Sequence, residues 1–387
     1  MRVLVAFDKF KDSISAPAAC DIAARAIASA RAGWEPDKCP LTDGGEGFME
    51  ILTGSVGGAR FPVEADGPRG GKVPAAFGIV SMERIPRGAR ARLGPVAKLG
   101  GTVGVVEMSA ASGLALLAPE MRDPMRTTTR GTGQLILAAA AADPRAILLG
   151  VGGSATHDLG LGALGAMGIT FAVAGGEVLD APVPADWPAL RSVAGRISDH
   201  IPPILIACDV ENPLLGPRGA LAVYGPQKGL RPEQAPALEA QGARIAAMLC
   251  RHFGRPQELA SRPGAGAAGG IAFGLMAAAG ATLLPGFDLV ASWLELDDRL
   301  AAADIVVTGE GRFDESSLSG KGPGSLVRRA LALGKPVHVF AGQVALAGET
   351  PGLSTHAVTP AGMALPDALA GAPSLLSEAV YRAFAAG

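Results

Sequence analysis

Residues 305–323 constrain the fold of this chain more than any other stretch. Ile305-Val306-Val307-Thr308 is a β-branched, apolar run that empties into Gly309-Glu310-Gly311, then Asp314, then Lys321 between two glycines. Such a run suits a buried strand. The polar and glycine residues after it suit a loop, and a helix is expected from about Gly324. In open α/β sheets, ligands lie beyond the carboxyl ends of the strands. Glycines let a backbone approach phosphate closely, carboxylate oxygen holds a divalent cation, and lysine neutralises phosphate charge. A surface loop with ordinary charges is the plain alternative for this one segment.

The same punctuation recurs along the chain. Residues 2–7 read as an apolar strand that ends in Asp8-Lys9-Phe10-Lys11-Asp12-Ser13. Ser15 caps a helix from about Ala16, with Pro17 in its first turn. A second strand near 37–41 leads into Thr42-Asp43-Gly44-Gly45-Glu46-Gly47. Gly101 to Met108 is a strand, followed by a loop in which Arg126 and Arg130 flank Thr127-Thr128-Thr129. Guanidinium forks suit carboxylate or phosphate, and N-capping beside surface arginines explains the segment equally well. Arg145 to Val151 ends in Gly152-Gly153-Ser154-Ala155-Thr156-His157-Asp158, which reads as a phosphate or substrate cradle. Within it Asp158 is the better candidate for chemistry, since His157 fits a solvated or capping role as well as an acid–base one. Ile204 to Ala207 leads to Asp209 and Asn212, and Tyr224-Gly225-Pro226-Gln227-Lys228-Gly229 follows.

Between these motifs the texture changes. Prolines interrupt 54–100, where antiparallel strands are expected over Arg60 to Ala65 and Ala75 to Val80. Glu233 to Phe253 has helical spacing. A literal GxGxxG at Gly264-Ala265-Gly266-Ala267-Ala268-Gly269 has no strand before it, so a dinucleotide fingerprint is excluded by context. It is expected to open a helix over Ile271 to Ala279. Further elements are a helix over 324–333, strands over 337–341 and near 355–358, and a C-terminal helix from about Ser374. Strand–helix alternation at both chain ends predicts one discontinuous α/β domain, residues 1–58 with 285–387, carrying an inserted mixed α/β domain, residues 59–284, with a cleft between them.

Composition removes several classes. The net charge is −2 and no long run of one sign occurs, so neither nucleic acid nor an anionic membrane is an expected partner. No apolar run reaches a membrane span, and the N-terminus reads as a first strand, so a cytoplasmic location is expected. Four cysteines show no CxxC spacing, which argues against zinc and a disulfide framework. There is no strong nucleophile set of the Ser-His-Asp or Cys-His kind. Pooled over five strand ends, the residues favour phosphoryl transfer, in which positioning and electrostatics carry the chemistry. A nicotinamide-dependent dehydrogenase and a two-lobed small-molecule-binding regulator remain the alternatives.

Eight ordered motifs resemble those of the bacterial type I glycerate kinase family and span nearly the whole chain. They are Asp8–Ser13, Thr42–Gly47, Arg126–Thr129, Gly152–Asp158, Cys208–Leu214, Tyr224–Gly229, Thr308–Asp314 and Thr359–Met363. The resemblance implies a flavodoxin-like (Rossmann-type) domain made from both chain ends, and ATP- and Mg²⁺-dependent phosphorylation of D-glycerate. The 2-hydroxyl is the usual acceptor, and 3-kinase activity is the alternative. A monomer or homodimer is expected. The sequence departs from the family pattern at Lys9, at Asp12 where glycine is common, and at His157-Asp158-Leu159-Gly160 where Asn-Asp-Gly-Gly is common.

Residue type and loop position then suggest roles. Asp314 or Asp209 is the candidate base, with Lys11 and Lys321 neutralising phosphate charge. Asp43, Glu46 and Glu310 are the metal-side carboxylates. Ser154, Asp158, Arg126, Asp8 and Asn212 are assigned to the substrate, and Gly309, Gly311 and Lys228 to the nucleotide.

Overall fold

The computed structural model describes residues 1–319, 322–346 and 350–385, with only the backbone of Ser316 and Ser319. Lys321, expected to act on phosphate, lies outside the described residues. The strands in chain order are β1 (Arg2–Phe7), β2 (Glu35–Lys38), β3 (Ala59–Asp66), β4 (Lys72–Ser81), β5 (Thr102–Glu107), β6 (Ala146–Gly150), β7 (Thr170–Val173), β8 (Val178–Leu179), β9 (Leu190–Ala194), β10 (Ile204–Ala207), β11 (Thr282–Leu284), β12 (Ile305–Asp314), β13 (Val337–Ala345) and β14 (Leu353–Ala357). They fall into two compact units. One is Met1–Asp43 with Val290–Gly387, and the other is Gly44–Leu289.

The first unit is built on a parallel sheet of order β14-β13-β12-β1-β2. Numbered within the unit, its strands run 2-1-3-4-5 from the β2 edge. That is the flavodoxin-like order, and its switch point lies between β1 and β12. Val3 to Phe7 are fully buried, as the unbroken apolar run of a two-sided parallel strand requires. The helix Ala16–Ala30 begins at Ser15, whose Oγ accepts from the Ala18 amide. Its buried face, Ala19, Cys20, Ala23 and Ile27, joins one core with Leu376, Val380 and Phe384 of the helix Leu365–Ala385.

That C-terminal helix starts at Leu365 rather than near Ser374, and Pro373 lies inside it. A proline in a helix interior removes one hydrogen bond. Buried Ala368, Ala372, Leu376, Val380 and Phe384 recur every four residues across it, so one continuous apolar stripe carries the helix through.

The second unit holds a six-stranded sheet of order β11-β10-β6-β5-β4-β3. β11, β10, β6 and β5 are parallel, while β4 pairs antiparallel with both β5 and β3. A small antiparallel sheet, β8-β7-β9, lies outside the elements expected from the sequence. The helix Phe48–Ser55 contacts β3, β4 and β5 and belongs to the compact unit Gly44–Leu289. Regular helix after the glycine run begins at Ile271, because Ala268, Gly269 and Gly270 are left-handed.

Candidate active site

In the first unit, acidic groups gather where β1 ends, beside the polar second half of β12, whose residues Gly309 to Asp314 continue as strand paired with β13 instead of opening into the expected loop. Phe7 pairs with Gly309, and the Asp8 amide donates to the Gly309 carbonyl at 3.0 Å. The loop after β12 reaches the same place, since a Cβ added at Gly322 would lie 3.7 Å from Asp8 Oδ2. Asp8 Oδ1 accepts from the Lys9 amide at 2.7 Å. Desolvation, then the charges of Asp43 and Glu310, push the Asp8 carboxyl up to about 7 against the pull of Lys9. Glu310 is raised as well, first by burial and then by Asp314 and Asp43, while a hydrogen bond from Ser317 lowers it. Four carboxylates therefore act on one another across this strand end.

Asp314 also helps to shape its own loop. Its amide donates to Ser317 Oγ and its Oδ1 accepts from the Ser317 amide, each at 3.3 Å. Arg312 Nε donates to Asp314 Oδ2 at 3.0 Å. Gly309 is fixed by packing, because a Cβ there would collide with the Phe340 carbonyl. Gly311 lies beside the Lys11 backbone, with an added Cβ 3.6 Å from the Lys11 amide nitrogen. Lys11 itself is exposed.

In the second unit the expected residues form a closed polar knot. Lys228 is 3% exposed and donates to Ser154 Oγ at 2.8 Å and to the Thr156 carbonyl at 2.7 Å. Burial lowers its ammonium to about 7, with Asp158 acting the other way. Asp158 is fully buried and accepts from the Thr129 amide and hydroxyl and from the Gly160 and Gly162 amides, at 2.7–3.1 Å. Burial still raises its carboxyl. His157 is buried against Trp187 and pushed down to about 3, by burial first and by Lys228 second.

The remaining candidates are tied to local backbone. Asp209 Oδ2 accepts from the Phe287 amide at 2.6 Å, at the start of the helix Gly286–Trp293. Asn212 donates to the Arg218 carbonyl and accepts from the Tyr224 hydroxyl. Arg126 is exposed, 3.7 Å from Asp123. The Gly152 amide donates to the Gly44 carbonyl at 2.9 Å, so two of the glycine turns stack, and a Cβ added at Gly153 would lie 3.4 Å from Glu46 Oε1.

One buried acid escaped the sequence reading. Glu107, 8% exposed, accepts from the Met49 amide and from Ser109 Oγ. Its signal was an acid closing a strand two residues before Ser109, without the glycines that marked the other loops.

The chain matches the profile of the glycerate kinase family over residues 3–386. The chain belongs to the glycerate kinase family. It is 34% identical to a glycerate kinase of Halalkalibacterium halodurans, over 97% of this chain and 96% of that protein. It is also 34% identical to the glycerate 2-kinase of Escherichia coli K12, over 89% and 86%. The crystal structure of a chain described as glycerate kinase 2 from Salmonella typhimurium LT2 superposes with a TM-score of 0.74 at 34% identity, covering 100% of this chain and 98% of that one. The chain is thus a kinase acting on a small molecule. No helix among the described residues is long and apolar enough to cross a membrane.

Glycerate kinase membership makes two departures informative. Asp12 and Leu159 stand where the family motifs commonly carry glycine, and both adopt left-handed backbone, with φ of 62° and 54°. The glycine conformation is kept without the glycine.

Proposed function

We propose that this kinase transfers the γ-phosphoryl group of ATP to the 2-hydroxyl of D-glycerate, giving 2-phosphoglycerate and ADP. The observation that carries this reading is the group of Asp8, Asp43, Glu310 and Asp314 at the switch point of the parallel sheet, where Asp43 and Glu310 add to the burial that raises Asp8, and Asp314 and Asp43 add to the burial that raises Glu310. The donor set is all carboxylate oxygen, which suits Mg²⁺. Among the described residues no group of three or more His, Cys, Asp or Glu side chains forms a ready metal cage. Mg²⁺ uses one or two carboxylates, with water and phosphate oxygens completing its shell. Asp43 and Glu310 are proposed as its protein ligands, with Glu46 as a third candidate. When bound, the cation would neutralise charge on the transferring phosphoryl group.

The chain's own residues have distinct tasks in this reading. Asp314 accepts the proton of the attacking hydroxyl, with Asp209 as the second candidate, because Asp209 already holds the Phe287 amide. Ser154 meets the substrate, and Lys228 holds its hydroxyl in place from behind. Asp158 positions Thr129 and the turn at Gly160. Lys11 offers an exposed ammonium to phosphate.

The test is ADP release from ATP and Mg²⁺ with D-glycerate, with the product passed to enolase without phosphoglycerate mutase. Immediate enolase turnover supports the 2-kinase. A requirement for the mutase would mean phosphorylation of the 3-hydroxyl, and absence of ADP release from folded protein would remove the reading.

A further inference from the structure

We propose that the second unit carries a phosphate-binding pocket lined by Arg69, Arg122, Arg126 and Arg231. The cavity measures about 330 Å³, and Asp123 and Gln234 complete its wall. Four guanidinium groups line the cavity, and two of them pair with a carboxylate, one in the wall and one beside it. Arg126 Nε lies 3.7 Å from Asp123 Oδ2, and Arg231 Nε lies 3.5 Å from Glu233 Oε1. The balance leaves an excess of two positive charges, which matches a phosphate dianion. Arg130, on the other side of the threonine run, is instead neutralised by Asp66 at 3.0 Å.

The pocket is built rather than gathered by chance from surface side chains. Three separate segments form it, and backbone contacts lock them together. The turn between β3 and β4 closes through Gly67 N donating to the Gly71 carbonyl at 2.7 Å. Thr128 N donates to the Pro68 carbonyl at 2.9 Å, and Arg69 Nη1 donates to the Met121 carbonyl at 2.9 Å. Gly229, at φ 89°, presses on the Arg122 carbonyl so closely that a Cβ would collide with it. Gly229 directly follows Lys228, so the loop that fills the polar knot also closes this pocket.

Within that frame Arg122 Nε is buried without a hydrogen-bond partner. A buried orphan donor in a native fold calls for an ion or water beside it. Like charges around one cavity repel, and an anion between them removes that cost. Guanidinium forks match phosphate oxygens two at a time. The phosphate has two possible sources: the polyphosphate of a nucleotide, or the phosphomonoester of a phosphorylated hydroxy acid.

The test is isothermal titration calorimetry of the full chain with inorganic phosphate, ADP, 2-phosphoglycerate and D-glycerate, each without turnover. Arg122→Lys keeps the charge but loses the fork. The double variant Arg126→Gln with Arg231→Gln changes only exposed side chains, and circular dichroism confirms that it folds. Wild type should bind inorganic phosphate, and each variant should weaken it on the order of tenfold. High salt should weaken it as well. Parallel loss of ADP alone, or of 2-phosphoglycerate alone, supports the pocket and names the source. Absence of phosphate binding by wild type, equal phosphate binding by all three proteins, or loss confined to D-glycerate would overturn the proposal. Turnover of ATP with D-glycerate is measured separately, so failure of the pocket and failure of the kinase reading give different results.

Discussion

The two units handle buried charge in opposite ways. In the first, burial and then the charges of Asp43 and Glu310 push the Asp8 carboxyl up, and burial and then Asp314 and Asp43 push Glu310 up, with Lys9 only partly opposing the rise at Asp8. In the second, Asp158 accepts from four donors and Lys228 donates to two acceptors, so the charges are absorbed by the fold itself. A buried charge with saturated partners supports structure, since removing either side strands the other. A set of like charges lowers stability and has to be explained by what it binds. The contrast separates residues expected to touch ligand from residues expected to hold the site in shape.

The sharpest way to break this contrast is Asp314→Asn. If Asp314 takes the acceptor proton, kcat should fall by roughly 10²–10⁴-fold. The thermal midpoint should change little, because the exposed Arg312 partner contributes modestly. Steady-state kinetics beside a melting curve checks both halves. Near-normal turnover would move the base assignment to Asp209.

Asp158→Ala should show the reverse pattern, with stability as the primary loss. Four donors would lose their acceptor and Lys228 its nearby negative charge, a cost of about 3–5 kcal/mol for breaking a buried charged cluster. A urea unfolding curve measures it. A variant as stable as wild type but inactive would return Asp158 to the substrate.

This division was only half legible in the sequence. The parallel first sheet was readable because β1 and the start of β12, Ile305 to Val307, are unbroken apolar runs, and the β3–β4 hairpin because its prolines and alternation break the pattern. Glycines marked the loops after β2 and β6, but Gly309 and Gly311 lie inside β12, where pairing with β13 carries the strand on to Asp314. What the sequence could not distinguish was the use of a carboxylate. Asp43 and Asp158 each follow a strand among glycines, yet one faces other acids and the other faces backbone amides. That difference comes from long-range contacts such as Thr129 to Asp158, and no local pattern encodes them. Glu107 was missed for the same reason, since its partner Met49 is 58 residues away. The small sheet β7-β8-β9 escaped because its strands are only two to five residues long.

The polar knot should also set the pH dependence of stability. Burial, and then the Lys228 charge, push His157 down to about 3 in the folded chain from the ordinary histidine value of 6.5. Its folded value is depressed, so its contribution is complete above pH 6.5 and is lost as pH falls towards 3. Over that window the slope should reach about 1.4 kcal/mol per pH unit. His338, lowered to about 4 by burial and then by His356, adds to the acid side of the same window. Lys228, about 7 in the fold against 10.5, should make stability rise further between pH 7 and 10.5. Unfolding free energies of wild type and His157→Asn across pH 4–7 provide the check. An unchanged slope in the variant would assign the acid sensitivity to the first unit and weaken the contrast.

The smallest expected effect tests whether backbone strain is tolerated at the acidic strand end. Asp12 holds φ at 62° on an exposed loop, at a position where related motifs commonly carry glycine. Left-handed backbone costs an L-residue roughly 1–2 kcal/mol, and aspartate less than most. Glycine removes the strain but adds freedom to the unfolded chain, which offsets part of the gain. Asp12→Gly should therefore stabilise the protein by about 0.5 kcal/mol, visible as a small rise in the urea midpoint at unchanged slope. Leu159 has the same conformation with its side chain wholly buried, so glycine there would lose core packing and confound the reading. If Asp12→Gly lowers stability instead, the Asp12 carboxylate is making a favourable interaction within the first unit. Its loop would then share the internal compensation seen around Asp158, and the contrast between the units would narrow.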